Sequence, residues 1–279
     1  MHPTLEPRRI IALVAIAVSG VATPVTPAPA QANLVTVVAT DHAFDAPASI
    51  RAGVTAFRLI NRGKMDHHIV VLRLPAGVSL EEYERSVTVK GARKLALAAY
   101  GGPETPVNAN DVASVIVELR PGRYVLTCEY RFPDGTNHAS RGMFVLLNVF
   151  PASRVALQVL PSADATVAMK DHSFALSTPL VAGPQVLRVD NRGAQEHQMV
   201  IGRLLPGRRT SDVLAWLRTG KGERPYVYSG GTTRQSPGRT STIRRTFAKG
   251  QYVLICMIPD ARDRKPHYEH GMLLPFTVQ

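Results

Sequence analysis

Gly122 to Met143 reads GRYVLTCEYRFPDGTNHASRGM, and Gly250 to Met272 reads GQYVLICMIPDARDRKPHYEHGM. Each is a Gly-x-Tyr run that ends on a cysteine, followed by a polar loop, a histidine and, five residues on, a methionine. The likeness continues upstream. Asp41-His42-Ala43-Phe44 aligns with Asp171-His172-Ser173-Phe174, Asn61-Arg62-Gly63 with Asn191-Arg192-Gly193, and His67 with His197, all at an offset of 130. The offset is 128 at Cys128 and Cys256 and 129 at His138 and His267. So many identities in one order, separated by small insertions, mark a duplication.

Within the first copy, β-branched or alternating runs at 34–39, 56–61, 69–74, 113–119, 124–128 and 143–149 predict strands, with Gly and Pro between them. One helix interrupts. Ser79-Leu80-Glu81-Glu82 is a capping box, and the second copy has the apolar spacing Val213, Leu214, Trp216, Leu217. The Gly101-Gly102 and Gly230-Gly231 pairs read as turns. The expected fold is all-β: two tandem Greek-key β-sandwich or barrel domains, residues 33–150 and 151–279, each with a short helix insertion.

Residues 1–32 read differently. Arg8 and Arg9 precede the apolar run Ile10 to Val18, and a Pro/Ala stretch ends at Ala30-Gln31-Ala32, the pattern of a cleaved secretory signal. The expected destination is periplasmic or extracellular. The apolar run is far short of the ~20 residues a membrane span needs.

Hydrophobic residues make up 45% of the 279 and charged ones 19%, which excludes a disordered chain. The formal net charge is +12 and is unevenly placed. Residues 33–150 hold 13 basic and 11 acidic side chains, residues 151–279 hold 18 and 9. The basic second domain, with Arg234, Arg239, Arg244 and Arg245, is expected to face an acidic redox partner or an anionic surface. No aromatic-plus-basic module for nucleic acid is present.

The residues shared by the copies are a chemical set: His67, Cys128, His138 and Met143, then His197, Cys256, His267 and Met272. Two imidazoles, a thiolate and a weak thioether are the ligands of a blue-copper electron-transfer site. Singly, each has a plainer reading. A cysteine alternating with Tyr124 and Leu126 is also a small buried hydrophobe, and a Cys128–Cys256 disulfide would need the two to meet at a symmetry axis.

The full pattern resembles the cupredoxins, through NRGKMDHHIVV (61–71) with the 122–143 stretch and NRGAQEHQMVI (191–201) with the 250–272 stretch. The resemblance implies cupredoxin-like domains, copper as cofactor, and His67 or His197 as first imidazole. It also implies Cys128 or Cys256 as thiolate, His138 or His267 as second imidazole, and Met143 or Met272 as axial thioether. His68 rivals His67, and His270 rivals His267. Nine residues separate Cys128 from His138 and ten separate Cys256 from His267, longer than in small blue-copper proteins and near the loop of copper nitrite reductases. Multicopper oxidases use His-x-His pairs, which this chain lacks, so the resemblance implies an electron carrier rather than an enzyme. A copper carrier and a copper-free scaffold are the alternatives. Asp41-His42 and Asp171-His172 are expected to turn the chain into the core.

Overall fold

The computed structural model describes residues 32–89, 95, 97–104, 112–132, 134–152 and 160–279. Apart from Ala32, the expected leader lies outside them, as do residues 153–159 between the copies.

The first repeat contains β1 (Asn33–Ala39), β2 (Phe44–Asp45), β3 (Ser49–Arg51), β4 (Gly53–Asn61), β5 (Val70–Arg73), α1 (Leu80–Thr88), β6 (Ala98–Ala99), β7 (Val112–Leu119), β8 (Gly122–Thr127) and β9 (Phe144–Phe150). The second contains β10 (Ala165–Lys170), β11 (Ser173–Leu176), β12 (Gly183–Asn191), β13 (His197–Leu204), α2 (Thr210–Thr219), β14 (Tyr226–Gln235), β15 (Thr240–Phe247), β16 (Gly250–Ile255) and β17 (Leu273–Val278). The fold is all-β, as expected, with one α-helix in each repeat.

Among the described residues the strands form three sheets. One of five strands, β3-β9-β8-β5-β6, belongs to the first repeat, and one of four, β14-β13-β16-β17, to the second. The third draws on both repeats, in the order β11-β10-β12-β15-β7-β4-β1-β2. Alternation sets which side chains face inward. Val35, Val37, Phe57 and Leu59 of the shared sheet pack with Val71, Leu126 and Leu147 of the five-stranded sheet, while Val167, Val189 and Ile243 pack with Ile201 and Leu254. Burying one such aliphatic side chain is worth ~1.5–3 kcal/mol.

The helices cover the far faces. Ser79 caps α1 through the expected box, its Oγ accepting from Glu82 N at 3.1 Å while Ser79 N donates to Glu82 Oε2 at 2.8 Å. That aims Tyr83 into a cluster with Val70, Leu72 and Val125. Val213 of α2 does the same against Val200, Tyr226 and Val253. Among the described residues no helix is long and apolar enough to cross a membrane.

The repeats join through antiparallel pairing of β7 with β15, in which Val115 lies opposite Ile243, its own counterpart at offset 128. Pro103 likewise bridges Thr232, its counterpart at offset 129. A residue facing its own counterpart sits on a local twofold axis, so the chain pairs with itself as a symmetric dimer would.

The two Gly-Gly pairs are not the turns expected. Gly230 and Gly231 lie inside β14, where its pairing with β13 shifts register, and Gly101-Gly102 run beside it. A Cβ on Gly102 would sit 2.1 Å from Ile69 O, and one on Gly231 2.0 Å from Met199 O. Two backbones approach too closely there for any side chain.

Candidate metal centres

Each centre starts from its Asn-Arg-Gly turn. Asn61 Nδ2 donates to Met65 O at 2.7 Å and its Oδ1 accepts from Gly63 N at 2.8 Å. Asn191 makes the same pair with Gln195 O at 2.8 Å and Gly193 N at 2.9 Å. The buried amide folds the loop so that His67 and His197 enter the core at the next strand. Glycine is needed because a Cβ on Gly63 would lie 2.3 Å from Asp41 Oδ1, and one on Gly193 2.4 Å from Asp171 Oδ1.

These aspartates stand behind the imidazoles rather than simply turning the chain. Asp171 Oδ1 lies 2.9 Å from His197 Nε2, and Asp41 Oδ1 3.9 Å from His67 Nε2. Asp41 Oδ1 also accepts from Lys64 N and Met65 N. Those backbone bonds hold its carboxyl below the ordinary range; for Asp171, the His197 hydrogen bond helps overcome the opposing effect of burial.

The cysteine ends its strand and the loop folds back over it identically in both repeats. Cys128 N donates to Met143 O, Ala139 N to Cys128 O, His138 N to Tyr130 O and Met143 N to His138 O. Cys256, Tyr268, His267 with Ile258, and Met272 repeat the set. Met143 and Met272 are thereby buried against their cysteine strands. The N–H of Gln198 also donates to Cys256 Sγ at 3.5 Å.

Three atoms converge in each repeat. In the first, Cys128 Sγ lies 3.9 Å from His67 Nδ1 and 3.5 Å from His138 Nδ1, with the ring nitrogens 3.2 Å apart. In the second, Cys256 Sγ lies 3.9 Å from His197 Nδ1 and 3.4 Å from His267 Nδ1, with the nitrogens 3.1 Å apart. The point equidistant from all three is about 2 Å from each in both repeats, the length of a metal–imidazole bond (~2.0–2.1 Å). His67, Cys128, His138, His197, Cys256 and His267 are all buried.

The rivals point elsewhere. His68 Nε2 accepts from Glu129 N at 2.9 Å, and His270 Nε2 lies 3.1 Å from Asp263 Oδ1. Both cysteines are free, each inside its own repeat, so the disulfide does not form.

Burial pushes the Cys128 and Cys256 thiols up to about 12. It also holds His67, His138 and His267 down to about 4, helped at His67 by His138, at His138 by His68, and at His267 by His197. Burial likewise lowers His197, against the pull of Asp171. Both imidazoles of each centre are therefore neutral donors at neutral pH, and a cation would displace one proton, from sulfur.

The centres differ in what covers the second imidazole. The Phe132 ring, four residues past Cys128, lies on His138 with centroids 4.2 Å apart, and Arg141 covers that ring. Four residues past Cys256 stands Asp260, 3.8 Å from His267 Nε2. The exchange is visible in the aligned stretches, but that these side chains lie against the second imidazole depends on how the loop folds.

No family model matches the chain, and no curated protein matches it. Among solved structures, auracyanin from Roseiflexus castenholzii is 21% identical, covering 42% of this chain and 99% of its own, with a TM-score of 0.30. The blue copper oxidase from Nitrosomonas europaea is 12% identical over 88% of this chain and 86% of its own, at 0.26. The copper nitrite reductase from the same organism is 14% identical over 89% and 94%, at 0.26. These are likenesses at low identity and low score, and the chemistry of the centres rests on their own geometry.

Proposed function

We propose that this is an exported, cupredoxin-like copper protein that passes single electrons to a partner. The observation that supports the reading is the duplicated convergence of two imidazole Nδ1 atoms and one cysteine Sγ around a point about 2 Å from each, inside a buried shell. A soft thiolate with two imidazoles suits copper in both its oxidation states. His67, Cys128 and His138 would hold one ion and His197, Cys256 and His267 a second, with Met143 and Met272 as the axial thioethers. Copper there would supply a one-electron couple. The protein's own contribution is to hold the donors in place before the metal arrives, to keep water out, and to orient His197 through Asp171. Exposed Arg244 and Arg245 on β15 would favour an acidic partner.

Adding Cu(II) to the purified protein, with metal counting, visible absorption and paramagnetic resonance, tests the reading. The expected result is an intense blue thiolate-to-copper band that falls by about half in Cys128→Ser and in Cys256→Ser and vanishes when both are changed. Absence of stoichiometric copper and of that band would sink it and leave a metal-free scaffold.

A further inference from the structure

Asp260, standing where the first repeat has Phe132, gives the second repeat a polar cluster that the described residues of the first do not form. Asp260 is fully buried. A short hairpin presents it, closed by Asp260 N donating to Lys265 O at 2.8 Å and Arg264 N donating to Asp260 O at 3.0 Å. Its Oδ1 accepts from Arg262 N at 2.8 Å and Arg262 Nε at 3.2 Å. Its Oδ2 accepts from Gln195 Nε2 at 2.9 Å and faces His172 Nε2 at 2.7 Å. His172 is held with φ of 64°, in the left-handed region that non-glycine residues seldom adopt. The equivalent His42 is exposed and has no such conformation.

The two ring nitrogens of His267 face different neighbours, one the thiolate centre and the other this cluster. The Asp171 carboxylate can only accept, so His197 carries its hydrogen on Nε2 and offers a bare Nδ1. His267 Nδ1 lies 3.1 Å from that nitrogen and 3.4 Å from Cys256 Sγ, so this edge of the ring faces the thiolate centre while Nε2 faces away from it. That nitrogen is buried, has no hydrogen-bond partner among the described residues, and lies 3.8 Å from Asp260 Oδ2. A buried imidazole nitrogen without a partner among the described residues thus faces a buried carboxylate. Leaving that nitrogen unpaired is costly, and a cation held together with the carboxylate would satisfy it.

We propose that His172 Nε2, the Asp260 carboxylate and His267 Nε2 form a further divalent-cation site in the copper-free protein, one suited to zinc. The three ligand atoms lie within 4.8 Å of one another. Two imidazoles and one carboxylate with room for water are a set that borderline divalent metals accept. The side chain of His172, 24% exposed, provides the way in. Gln195 and Arg262 fix the carboxylate from outside, as groups behind a metal ligand do. His267 is shared with the proposed copper centre through its other ring nitrogen, so the zinc site is read in protein whose thiolate centres are disabled.

The test is calorimetric titration of zinc into the full-length chain carrying Cys128→Ser and Cys256→Ser, which disables both thiolate centres. One zinc per chain is expected, with Kd raised ~10-fold or more on adding His172→Gln or Asp260→Asn. His172→Gln alters a partly exposed side chain, so its result stands even if Asp260→Asn fails to fold, which thermal melting would reveal. Cobalt(II) in the same protein should give d–d bands without a sulfur charge-transfer band, and His172→Gln should weaken them. No stoichiometric zinc, or equal zinc affinity with and without His172→Gln, would overturn the site. The copper test uses the cysteine-intact protein, so either proposal can fail alone.

Discussion

His67, His138 and His267 have pKa values near 4, chiefly because burial opposes their charged forms. The same rings titrate near ~6.5 in an unfolded chain. Between these values the unfolded chain binds more protons than the folded one, so metal-free stability is fully present above about 6.5 and is lost progressively as pH falls to about 4. Denaturant midpoints recorded across that window should drop steadily; a flat profile would show that these rings are not buried as described. The histidine and cysteine types could be read from the duplicated motif because they recur in one order. Asp41 and Asp171 recur as well, but their place behind the imidazoles was not legible, since Asp171 precedes His197 by 26 residues and only the folded turn brings them together.

At the scale of elements, the Gly-Gly pairs carry the clearest consequence. Gly102 and Gly231 occupy positions where an added Cβ would collide with the backbone oxygen of Ile69 or Met199, at φ of 157° and 143°. Gly207 has φ of 74° but open space around it. Alanine at Gly207 should therefore cost only ~1 kcal/mol for its left-handed backbone. At Gly102 or Gly231 it should cost more than ~3 kcal/mol, because backbone must also move. Thermal melting of the three variants checks the ranking, and equal losses would contradict it. Strands and helix caps were legible from alternation and from Ser79 with Glu82, which are local signals. A glycine pair looks the same whether it makes a turn or admits a neighbouring backbone, and local sequence does not distinguish the two.

For the whole molecule, Arg234 ties the repeats together. Its guanidinium grips Glu129 through Nε at 3.0 Å and Nη2 at 2.7 Å, and reaches Glu196 Oε2 through Nη1 at 2.8 Å. Glu129 follows Cys128 and Glu196 precedes His197, so one side chain touches the flanks of both centres. Burial alone would raise the Glu129 carboxyl, yet Arg234 brings it below its ordinary value. Grouped with Arg239, Arg244 and Arg245 in sequence, Arg234 reads as part of a surface patch, but it points inward between carboxylates. Arg234→Gln should cost ~1–3 kcal/mol by leaving two half-buried carboxylates uncompensated, whereas Arg244→Gln, exposed on β15, should stay within ~0.5 kcal/mol. Chemical denaturation of both variants decides it, and equal values would remove Arg234 from the role. The union of β7 with β15 has one more effect, on colloidal behaviour. Each is an eight-residue strand that would otherwise leave a row of amides and carbonyls open to passing chains. By docking these edges on each other, the duplicated chain ends its largest sheet in β2, of two residues, and β11, of four. Edges that short offer little template for aggregation.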